Sequence, residues 1–478
     1  MKLLPLLLAC VASILSAQTK RPPNIIYMLA DDLGYGELGC YGQKKIRTPH
    51  VDRLAKEGMR FMRHYCGAPV CAPSRCVLMT GRHLSHAAVR GNKPVQPEGQ
   101  WAIPDDTITV ADILHGQGYA TGAMGKWGLG PPQSPSAPEN QGFDLFHGYI
   151  CQRVAHNYYP THLWLNGQRQ ILNNRDFRGH KKLKEAPKNY EQFQGNEYAP
   201  ELMMNTALAF IRQNAEKPFF LYLPFVEPHL AMQPPEKWVN SYPKSWDKAP
   251  YIGQRGYLPH PRPRAGYAAM ISDLDEHVGR IMTLLAELKL DSNTLVIFTS
   301  DNGPTHDVGG VDTTFFKSAG VLRGRKGSVY EGGLRVPMIA RWPGTVAAGS
   351  TTKHISGFQD VLPTLAELTG GKTPDHVDGV SFLPTLTGKG QQEVHDHLIW
   401  EFFGYGGQQC VISGKWKAVR QKLRKGNRRV ELYNLDKDPS ESRDLAAANP
   451  KVVERLTKIL ETDRTPNADF PIKMLDEK

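Results

Sequence analysis

Residues 71–82 read Cys-Ala-Pro-Ser-Arg-Cys-Val-Leu-Met-Thr-Gly-Arg, a stretch that predicts a helix beginning beside a cysteine. Pro73 fixes its own φ angle and lacks a backbone N–H, so it predicts that the helix opens there, with Cys71 just before its N-terminus. Unpaired N–H groups and the positive dipole end at that point favour a negatively charged nucleophile and an anionic substrate. Arg75, about one turn further on, adds a fixed positive charge. A buried or disulfide-bonded cysteine would also fit so short a motif.

Two apolar runs elsewhere in the chain each end in side chains that carry oxygen atoms. Asn24–Ala30 is followed by Asp31-Asp32, and Thr294–Ser300 is followed by Asp301-Asn302. Because ligands of open α/β sheets bind outside the carboxyl ends of the strands, these side chains form a candidate metal site. Hard oxygen ligands without His or Cys suit Ca²⁺ or Mg²⁺ better than Zn²⁺. Taken singly, an Asp-Asp pair after a strand is more often a cap or a turn.

Two more runs end in polar residues in the same way. Tyr119–Met124 leads into Lys126, and Pro218–Pro224 leads into His229. A lone lysine or histidine at such a place is usually a surface charge or a satisfied core residue. The alternation of short apolar runs with helical patterns nevertheless predicts an α/β sheet covered by helices.

Length and charge limit the possible classes of protein. The chain has 478 residues, 40% of them hydrophobic, which is enough for a large core and more than one domain. The 58 basic residues exceed the 47 acidic ones, for a net charge of +11. This surplus suits an enzyme acting on polyanions, although a solvated basic surface explains it equally well. No nucleic-acid-binding module is recognisable, so we expect no nucleic-acid partner.

The N-terminus resembles a targeting segment. Met1-Lys2 and the apolar run Leu3–Ala17 predict a signal peptide over residues 1–17, with cleavage near Ala17. The run is shorter than the ~20 residues that span a bilayer, so we expect no membrane span. Lipoprotein cleavage at Cys10 is a second interpretation, less favoured because the apolar region continues past it. We therefore expect an exported protein, periplasmic or secreted.

The cysteine count leaves room for disulfides. With Cys10 removed in the leader and Cys71 reserved for chemistry, five cysteines remain, so at most two disulfides can form and their pairing stays open. Their spacings do not suggest a zinc site. The five are Cys40, Cys66, Cys76, Cys151 and Cys410.

The motif Cys71-x-Pro-x-Arg75, followed by Thr80-Gly81, resembles the signature of the type I (formylglycine-dependent) sulfatases, in the arylsulfatase A-like group of the alkaline phosphatase superfamily. The resemblance implies that a formylglycine-generating enzyme oxidises Cys71 to formylglycine. In that family one hydroxyl of the hydrated aldehyde attacks the sulfur of a sulfate ester, and the other later expels sulfate. Cys71 would thus be the precursor of a cofactor made from the chain itself.

Further matches follow the family order. The resemblance implies one calcium ion (Ca²⁺), bound by four oxygen-bearing side chains together with position 71. It also implies that two lysines and Arg75 hold the sulfate oxygens and that His229 protonates the leaving oxygen. The implied calcium ligands are Asp31, Asp32, Asp301 and Asn302, and the implied lysines are Lys126 and Lys326.

One position departs from the family pattern. Relatives commonly read Gly-Lys-Trp-His-Leu-Gly, whereas this chain has Gly128 in place of the histidine that is assigned to removing a proton as sulfate leaves. His306 is a candidate substitute. A substrate contact or a plain surface histidine is at least as good an interpretation of His306.

The resemblance covers nearly the whole chain from about Asn24. It implies a large mixed sheet flanked by helices over residues 22–390, the catalytic domain. A smaller C-terminal α+β domain, built on an antiparallel sheet, would follow over residues 391–478. The segments 414–417 and 432–439 match the strands and turn of that smaller domain, and 436–440 is itself a strong turn signal.

The substrate is less sharply indicated than the reaction. Export and basic charge favour sulfated saccharides, and residues 151–160 mix His, Arg and Tyr, which hydrogen-bond and stack on sugar rings. His156 would contact a sugar hydroxyl beside the ester, although packing of this loop on the core is an equal alternative. Two other functions remain: a formylglycine-dependent phosphate or phosphonate ester hydrolase, and a glycan-binding homologue without catalysis.

Overall fold

The computed structural model describes residues 21–477. The signal peptide predicted for residues 1–17 and Cys10 lie outside these residues. Within them, two β-sheets organise the chain, one of 11 strands and one of four.

The larger sheet is mixed. Its order is β10-β2-β9-β8-β1-β7-β3-β4-β5-β6, and β11 also pairs with β2. The central strands run parallel, while β9 is antiparallel to both of its neighbours and β5 and β6 are antiparallel at one edge. The strands are β1 Asn24–Ala30, β2 Met59–Tyr65, β3 Ala120–Lys126, β4 Leu145–Tyr149, β5 His162–Leu165, β6 Gln168–Ile171, β7 Phe219–Pro224, β8 Thr294–Ser300, β9 Arg335–Arg341, β10 Ser350–Thr352 and β11 Ser356–Gly357.

Helices cover both faces of this sheet, because the central strands are apolar on both sides. Alternate residues of β1 show the division. Ile25 and Leu29 pack in one cluster with helices α2, α3 and α9, whereas Ile26 and Met28 pack in the other with α1, α4 and α6. The helices are α1 Pro49–Glu57, α2 Cys71–Thr80, α3 Val110–Gly116, α4 Ala199–Gln213, α5 Glu236–Asn240, α6 Pro263–Glu287, α7 Thr313–Phe316, α8 Glu331–Leu334, α9 Val361–Thr369, α10 Leu383–Thr387, α11 Pro450–Thr462 and α12 Lys473–Asp476.

The smaller sheet is antiparallel and lies in the C-terminal region. One face, with Trp400 and Ile412, joins the core of the larger sheet, and the other packs under Leu456 and Leu460 of α11. Its strands are β12 Leu398–Phe402, β13 Gln408–Ser413, β14 Trp416–Gln421 and β15 Val430–Asn434.

The predicted fold class is therefore confirmed: a large mixed sheet between helices, with a smaller antiparallel sheet near the C-terminus. The domain division at residue 390 stays a prediction, since the two sheets share one hydrophobic cluster.

The state of the cysteines and the length of the apolar helices both bear on expectations from the sequence. The six cysteines between residues 21 and 477 are all free thiols, so neither of the two allowed disulfides is formed there. In the same range, no helix combines the length and the apolar character needed to cross a bilayer.

Candidate active site

The helix that carries the cysteine begins earlier than its proline suggests. Cys71 is the first residue of α2, and Val70 precedes it as the N-cap, so the expectation that Cys71 lies just before the helix is wrong by this margin. The physical reason is that the first N–H groups of a helix have no intrahelical acceptor, so Pro73 is tolerated anywhere in the first turn. All ten residues of α2 are buried, which fixes the direction in which Cys71 points.

Strand pairing brings the two acidic strand ends together. Ala30 of β1 lies opposite Ser300 of β8, so the residues that follow them leave the sheet side by side. The backbone N–H of Asp32 donates to Asp301 Oδ1 at 3.1 Å. Asp32 has a φ of +65°, a left-handed conformation that aspartate tolerates better than most residues.

The Cys71 thiol faces these carboxylates. Its Sγ lies 3.3 Å from Asp31 Oδ1 and 3.9 Å from Asp32 Oδ1. One ligand atom from each of Asp31, Asp32, Cys71 and His229 lies within 4.8 Å of the others. The chemically important groups predicted from three distant segments thus meet in one buried cluster.

Two lysines pair with the two carboxylates that face the thiol. Lys126, the last residue of β3, contacts Asp31 Oδ2 with its ammonium group. Lys326 Nζ lies 2.8 Å from Asp32 Oδ2 and 3.6 Å from Cys71 Sγ. Both ammonium groups therefore act electrostatically on the thiol, and each favours its ionised form.

Arg75 is enclosed within the protein. Its Nε and Nη2 donate to Asp301 Oδ2 at 3.2 and 2.9 Å, and Nη1 donates to the carbonyl of Lys126. Nη2 also lies 3.4 Å from Asp31 Oδ2. The side chain is fully buried, so its guanidinium ties α2 to the ends of β3 and β8.

The charges shift one another's protonation equilibria. Burial alone would raise the pKa of Asp31, but Lys126, His229 and Arg75 together hold that pKa far below its ordinary value. Burial and then the neighbouring Asp31 carboxylate raise the pKa of Asp301. Burial also raises the pKa of the Cys71 thiol well above its usual range, so the unmodified cysteine is a protonated thiol and a weak nucleophile.

The donor set fits a hard divalent cation. Asp31, Asp32 and Asp301 supply buried carboxylate oxygens, and Asn302 supplies an amide oxygen. Asn302 Nδ2 donates to Asp32 Oδ1 at 2.7 Å, whereas Asn302 Oδ1 is buried and has no hydrogen-bond partner among residues 21–477. A buried oxygen without a hydrogen-bond donor, beside carboxylates, fits a ligand of Ca²⁺, because the ion would satisfy it.

His229 presents one ring nitrogen to the cluster. Its Nδ1 lies 2.6 Å from the carbonyl oxygen of Leu230, which can only accept, so Nδ1 carries a proton. Nε2 faces Asp32 Oδ2 at 3.6 Å. Burial and then Lys326 lower the pKa of His229 to about 4, so the ring is neutral near pH 7 until an anion arrives.

His156 reaches the cluster through His229. The two rings stack with centroids 4.5 Å apart and planes 12° from parallel. Tyr257, which no sequence motif marks, stands edge-on to His229 at 6.2 Å and close to His156 at 5.7 Å. His156 Nδ1 is buried and has no hydrogen-bond partner in the described chain.

His306 lies at the side of the site, with Nε2 3.0 Å from the hydroxyl of Tyr405. At Gly128 the backbone has a φ of +79°, and a Cβ built there would lie 2.5 Å from Gln152 Nε2. Gln152 thus occupies the space into which a side chain at position 128 would extend. Its Nε2 is buried and unpartnered within residues 21–477, a feature that no sequence signal could have shown.

The arrangement suits chemistry on a tetrahedral anion. A buried helix N-terminus, two lysines, oxygen ligands for a cation and a histidine converge on the side chain at position 71. Such groups position an anionic ester and stabilise the negative charge that develops as its bond breaks.

Comparison with known proteins agrees with this chemistry. The "Sulfatase" family model matches residues 23–371, and the model "N-sulphoglucosamine sulphohydrolase, C-terminal" matches residues 325–465. The chain is 31% identical to an N-acetylgalactosamine-6-O-sulfatase of Bacteroides thetaiotaomicron, over 94% of each chain. It is 32% identical to human arylsulfatase A, over 95% of this chain and 89% of that protein.

Solved structures show the same fold. The crystal structure of Ps i-CgsB in complex with k-i-k-neocarrahexaose superposes with a TM-score of 0.77 and 28% identity. The match covers 93% of this chain and 94% of that one.

Proposed function

The chain belongs to the sulfatase family and is a sulfuric ester hydrolase, and from that premise we propose that it hydrolyses sulfate monoesters on sulfated carbohydrates, using a formylglycine made from Cys71 and one bound Ca²⁺. The relatives named above include an N-acetylgalactosamine-6-O-sulfatase and a protein crystallised in complex with k-i-k-neocarrahexaose, which supports the substrate class.

The observation that carries the proposal is the position of Cys71. It opens a fully buried helix, faces two carboxylates, and has Lys326 Nζ 3.6 Å from its Sγ. Because burial raises the pKa of the thiol, the unmodified Cys71 is protonated near neutral pH and is a poor nucleophile. Conversion to formylglycine would place an attacking hydroxyl at this position, because the hydrate carries one. A Ca²⁺ held by Asp31, Asp32, Asp301 and Asn302 would supply the charge that polarises this hydroxyl and neutralises a sulfate oxygen.

The lysines bind and orient the sulfate group. Lys126 and Lys326 already lie against the carboxylates that border position 71. Each ammonium could donate a charge-assisted hydrogen bond to a sulfate oxygen at position 71, and such a bond is strong because the site is buried.

Arg75 acts as a positioning residue. Its guanidinium nitrogens already donate to Asp301 and to the carbonyl of Lys126, so it holds the ligand set in place and does not bind sulfate itself. This role differs from the sulfate contact that the family resemblance suggested for it.

His229 donates a proton to the leaving sugar oxygen. Nε2 is the ring nitrogen that faces the cluster, and Nδ1–H is held by the Leu230 carbonyl. A bound sulfate ester brings a negative charge beside the ring, which opposes the lowering of its pKa and favours the protonated form.

His156 and His306 are proposed to contact the substrate, and His306 is also a candidate for the proton removal that Gly128 cannot perform. His156, stacked on His229, lies where it would contact a sugar hydroxyl beside the ester. His306 would contact substrate from the side near Tyr405, or replace the family histidine that is absent at position 128.

We expect maturation by a formylglycine-generating enzyme. From residues 1–17 we also expect export to the periplasm or the medium.

The test is sulfate release from a panel of sulfated saccharides with Ca²⁺ present, comparing wild type with Cys71→Ser and Cys71→Ala. We expect release by wild type alone, and a mass at the peptide bearing position 71 that corresponds to formylglycine or its hydrate. Cys40→Ser, which changes a half-buried cysteine outside the site, is the matched control and should keep full activity.

Normal turnover by Cys71→Ser would overturn the proposal, because a serine ester has no second hydroxyl with which to expel sulfate. Faster turnover of a phosphate ester than of its matched sulfate ester would instead favour the phosphoesterase alternative. Saccharide binding without turnover by matured wild type would favour the non-catalytic one.

A further inference from the structure

A cavity of about 450 Å³ lies beside the catalytic cluster. This volume is within the range of sites that hold small ligands and suits one or two sugar rings. His156 contributes to its wall, and the same ring stacks on His229. His156 therefore separates the cavity from His229, the proposed proton donor.

The cavity wall carries two arginines that no protein group engages. Arg153 and Arg178 both line it, and both are exposed. In the described part of the chain, neither guanidinium has a hydrogen-bond or ion-pair partner; by contrast, Arg75, Arg264 and Arg341 each pair with a carboxylate. Two unpaired guanidiniums that line one concave space suit the binding of an anion.

The acidic groups in the cavity do not cancel this charge. Glu98 is already held by His162 at 2.9 Å, Trp164 at 2.9 Å and Arg169 at 3.2 Å. Asp176 is the other carboxylate of the lining and is exposed, so it remains available to accept a sugar hydroxyl.

Aromatic rings connect the arginines to the catalytic side. The His180 ring lies 5.2 Å from His156 and 4.1 Å from Tyr257, centroid to centroid. Partial burial and then the nearby Arg153 guanidinium lower the pKa of His180, which keeps its ring neutral and suited to packing on a sugar face.

We infer that this cavity is a subsite for a second anionic group of the saccharide, a carboxylate or a further sulfate on the sugar beside the one being desulfated, bound by Arg153 and Arg178. The inference rests on the proposed function, since it assigns the neighbouring part of the same substrate. It narrows the substrate class to saccharides that carry a negative charge on two adjacent sugars.

Binding tests the inference separately from catalysis. The full-length protein carrying Cys71→Ala, which cannot consume its ligand, is titrated at physiological salt with three probes of defined charge. They are chondroitin 6-sulfate oligosaccharides, the same oligosaccharides after reduction of their carboxyl groups, and iota-carrageenan oligosaccharides, whose anions are all sulfates.

We expect Arg153→Ala and Arg178→Ala each to weaken binding at least tenfold for the probe that the parent protein binds most tightly. Arg153→Lys and Arg178→Lys, which keep the charge but lose the planar fork, should weaken it less. Arg175→Ala removes an exposed arginine of the same segment outside the cavity, and should bind as the parent does. Both arginines are exposed and unpaired, so the variants should fold normally.

The probes also identify the second anion. Loss of binding on carboxyl reduction assigns it as a uronate, whereas tight binding of the carrageenan probe assigns it as a sulfate. Unchanged affinity of both alanine variants overturns the inference, as does failure of the parent to bind any of the three probes. Failure of the proposed function would appear differently, as absent sulfate release by wild type while these affinities remain arginine-dependent.

Discussion

Lys326 contacts both a carboxylate and the position that would carry the nucleophile, so we expect its ammonium to hold a sulfate oxygen. Its Nζ lies 2.8 Å from Asp32 and 3.6 Å from Cys71 Sγ. We expect Lys326→Ala to lower kcat by about 100- to 1000-fold, the loss typical of removing one donor that stabilises developing charge. Lys353→Ala, at an exposed lysine, is the control for steady-state sulfate release. A raised KM with kcat unchanged would instead show that Lys326 binds the substrate equally in the ground state and the transition state.

The Gln152 side chain fills the space that a side chain at position 128 would need. A side chain at position 128 meets Gln152 Nε2 at 2.5 Å and also requires a φ of +79°. Gly128→Ala should therefore lower stability by about 1–2 kcal/mol from the backbone alone, plus the displacement of Gln152. Because Gln152→Ala removes the clash but not the backbone strain, the double variant should lose less stability than the two single losses added.

Urea unfolding of the four proteins in this cycle measures the coupling. Strict additivity would show that Gln152 moves aside freely. In that event the absence of a histidine at position 128 would need an explanation other than steric exclusion.

At the scale of elements, Arg75 fixes helix α2 against the ends of β3 and β8. Arg75→Lys keeps the charge but cannot reach Asp301 and the Lys126 carbonyl together, so the Asp301 carboxylate loses its orientation. We expect calcium affinity to fall about 10- to 100-fold, as for other groups that orient metal ligands. Calcium titration by calorimetry measures it, with Arg82→Lys, just beyond the same helix, as the control. Equal affinities would show that Asp301 is held by the sheet alone.

The strands that form the site were predictable because buried parallel strands read as continuous apolar runs. β1 and β8 match the predicted runs Asn24–Ala30 and Thr294–Ser300. Their pairing was not predictable from local patterns, since 270 positions separate Asn24 from Thr294, opposite it in the register. Periodicity describes one element at a time, whereas register depends on contacts between distant segments.

The residues of the cavity wall were harder to predict from the sequence than those of the catalytic cluster. Arg178 and His180 lie in residues 172–190, a stretch between β6 and α4 that forms neither helix nor strand, so neither period applies. Tyr257 lies in a similar loop before α6. Such loops are positioned by the scaffold, so their residues are recognised only once the scaffold is known.

At the scale of the whole molecule, one buried lysine joins the two sheets. Lys417 of β14 contacts Glu331 of α8 and Glu441, each at 2.9 Å, and all three side chains are buried. Glu331 also lies 3.5 Å from Arg335, whereas among residues 21–477 Glu441 has no ion-pair partner except Lys417. Removing the lysine therefore leaves Glu441 without a compensating charge wherever its carboxyl is ionised.

Lys417→Met should lower the free energy of unfolding by an amount that grows as the pH rises above 7 and approaches about 3–5 kcal/mol, the usual cost of breaking a buried pair from one side, only where Glu441 would be ionised. Burial raises the pKa of Glu441 to about 7 even with Lys417 present, and loss of the lysine raises it further. A raised carboxyl pKa contributes stability that is present below the unfolded pKa of about 4.3 and is lost as pH rises through the folded pKa. The deficit of Lys417→Met should thus be small at pH 5 and large at pH 8.

Glu441→Gln in the Lys417→Met background supplies the decisive comparison. It removes the buried charge and keeps an oxygen for the N–H of Glu331, which donates to Glu441 Oε2 at 2.7 Å. The double variant should recover most of the stability at pH 8 and lose the pH dependence, whereas Lys415→Met, at an exposed lysine beside β14, should resemble wild type throughout. Urea midpoints at the two pH values decide it. A deficit that is the same at pH 5 and pH 8, and that Glu441→Gln does not relieve, would mean that Lys417 joins the sheets by packing rather than by charge.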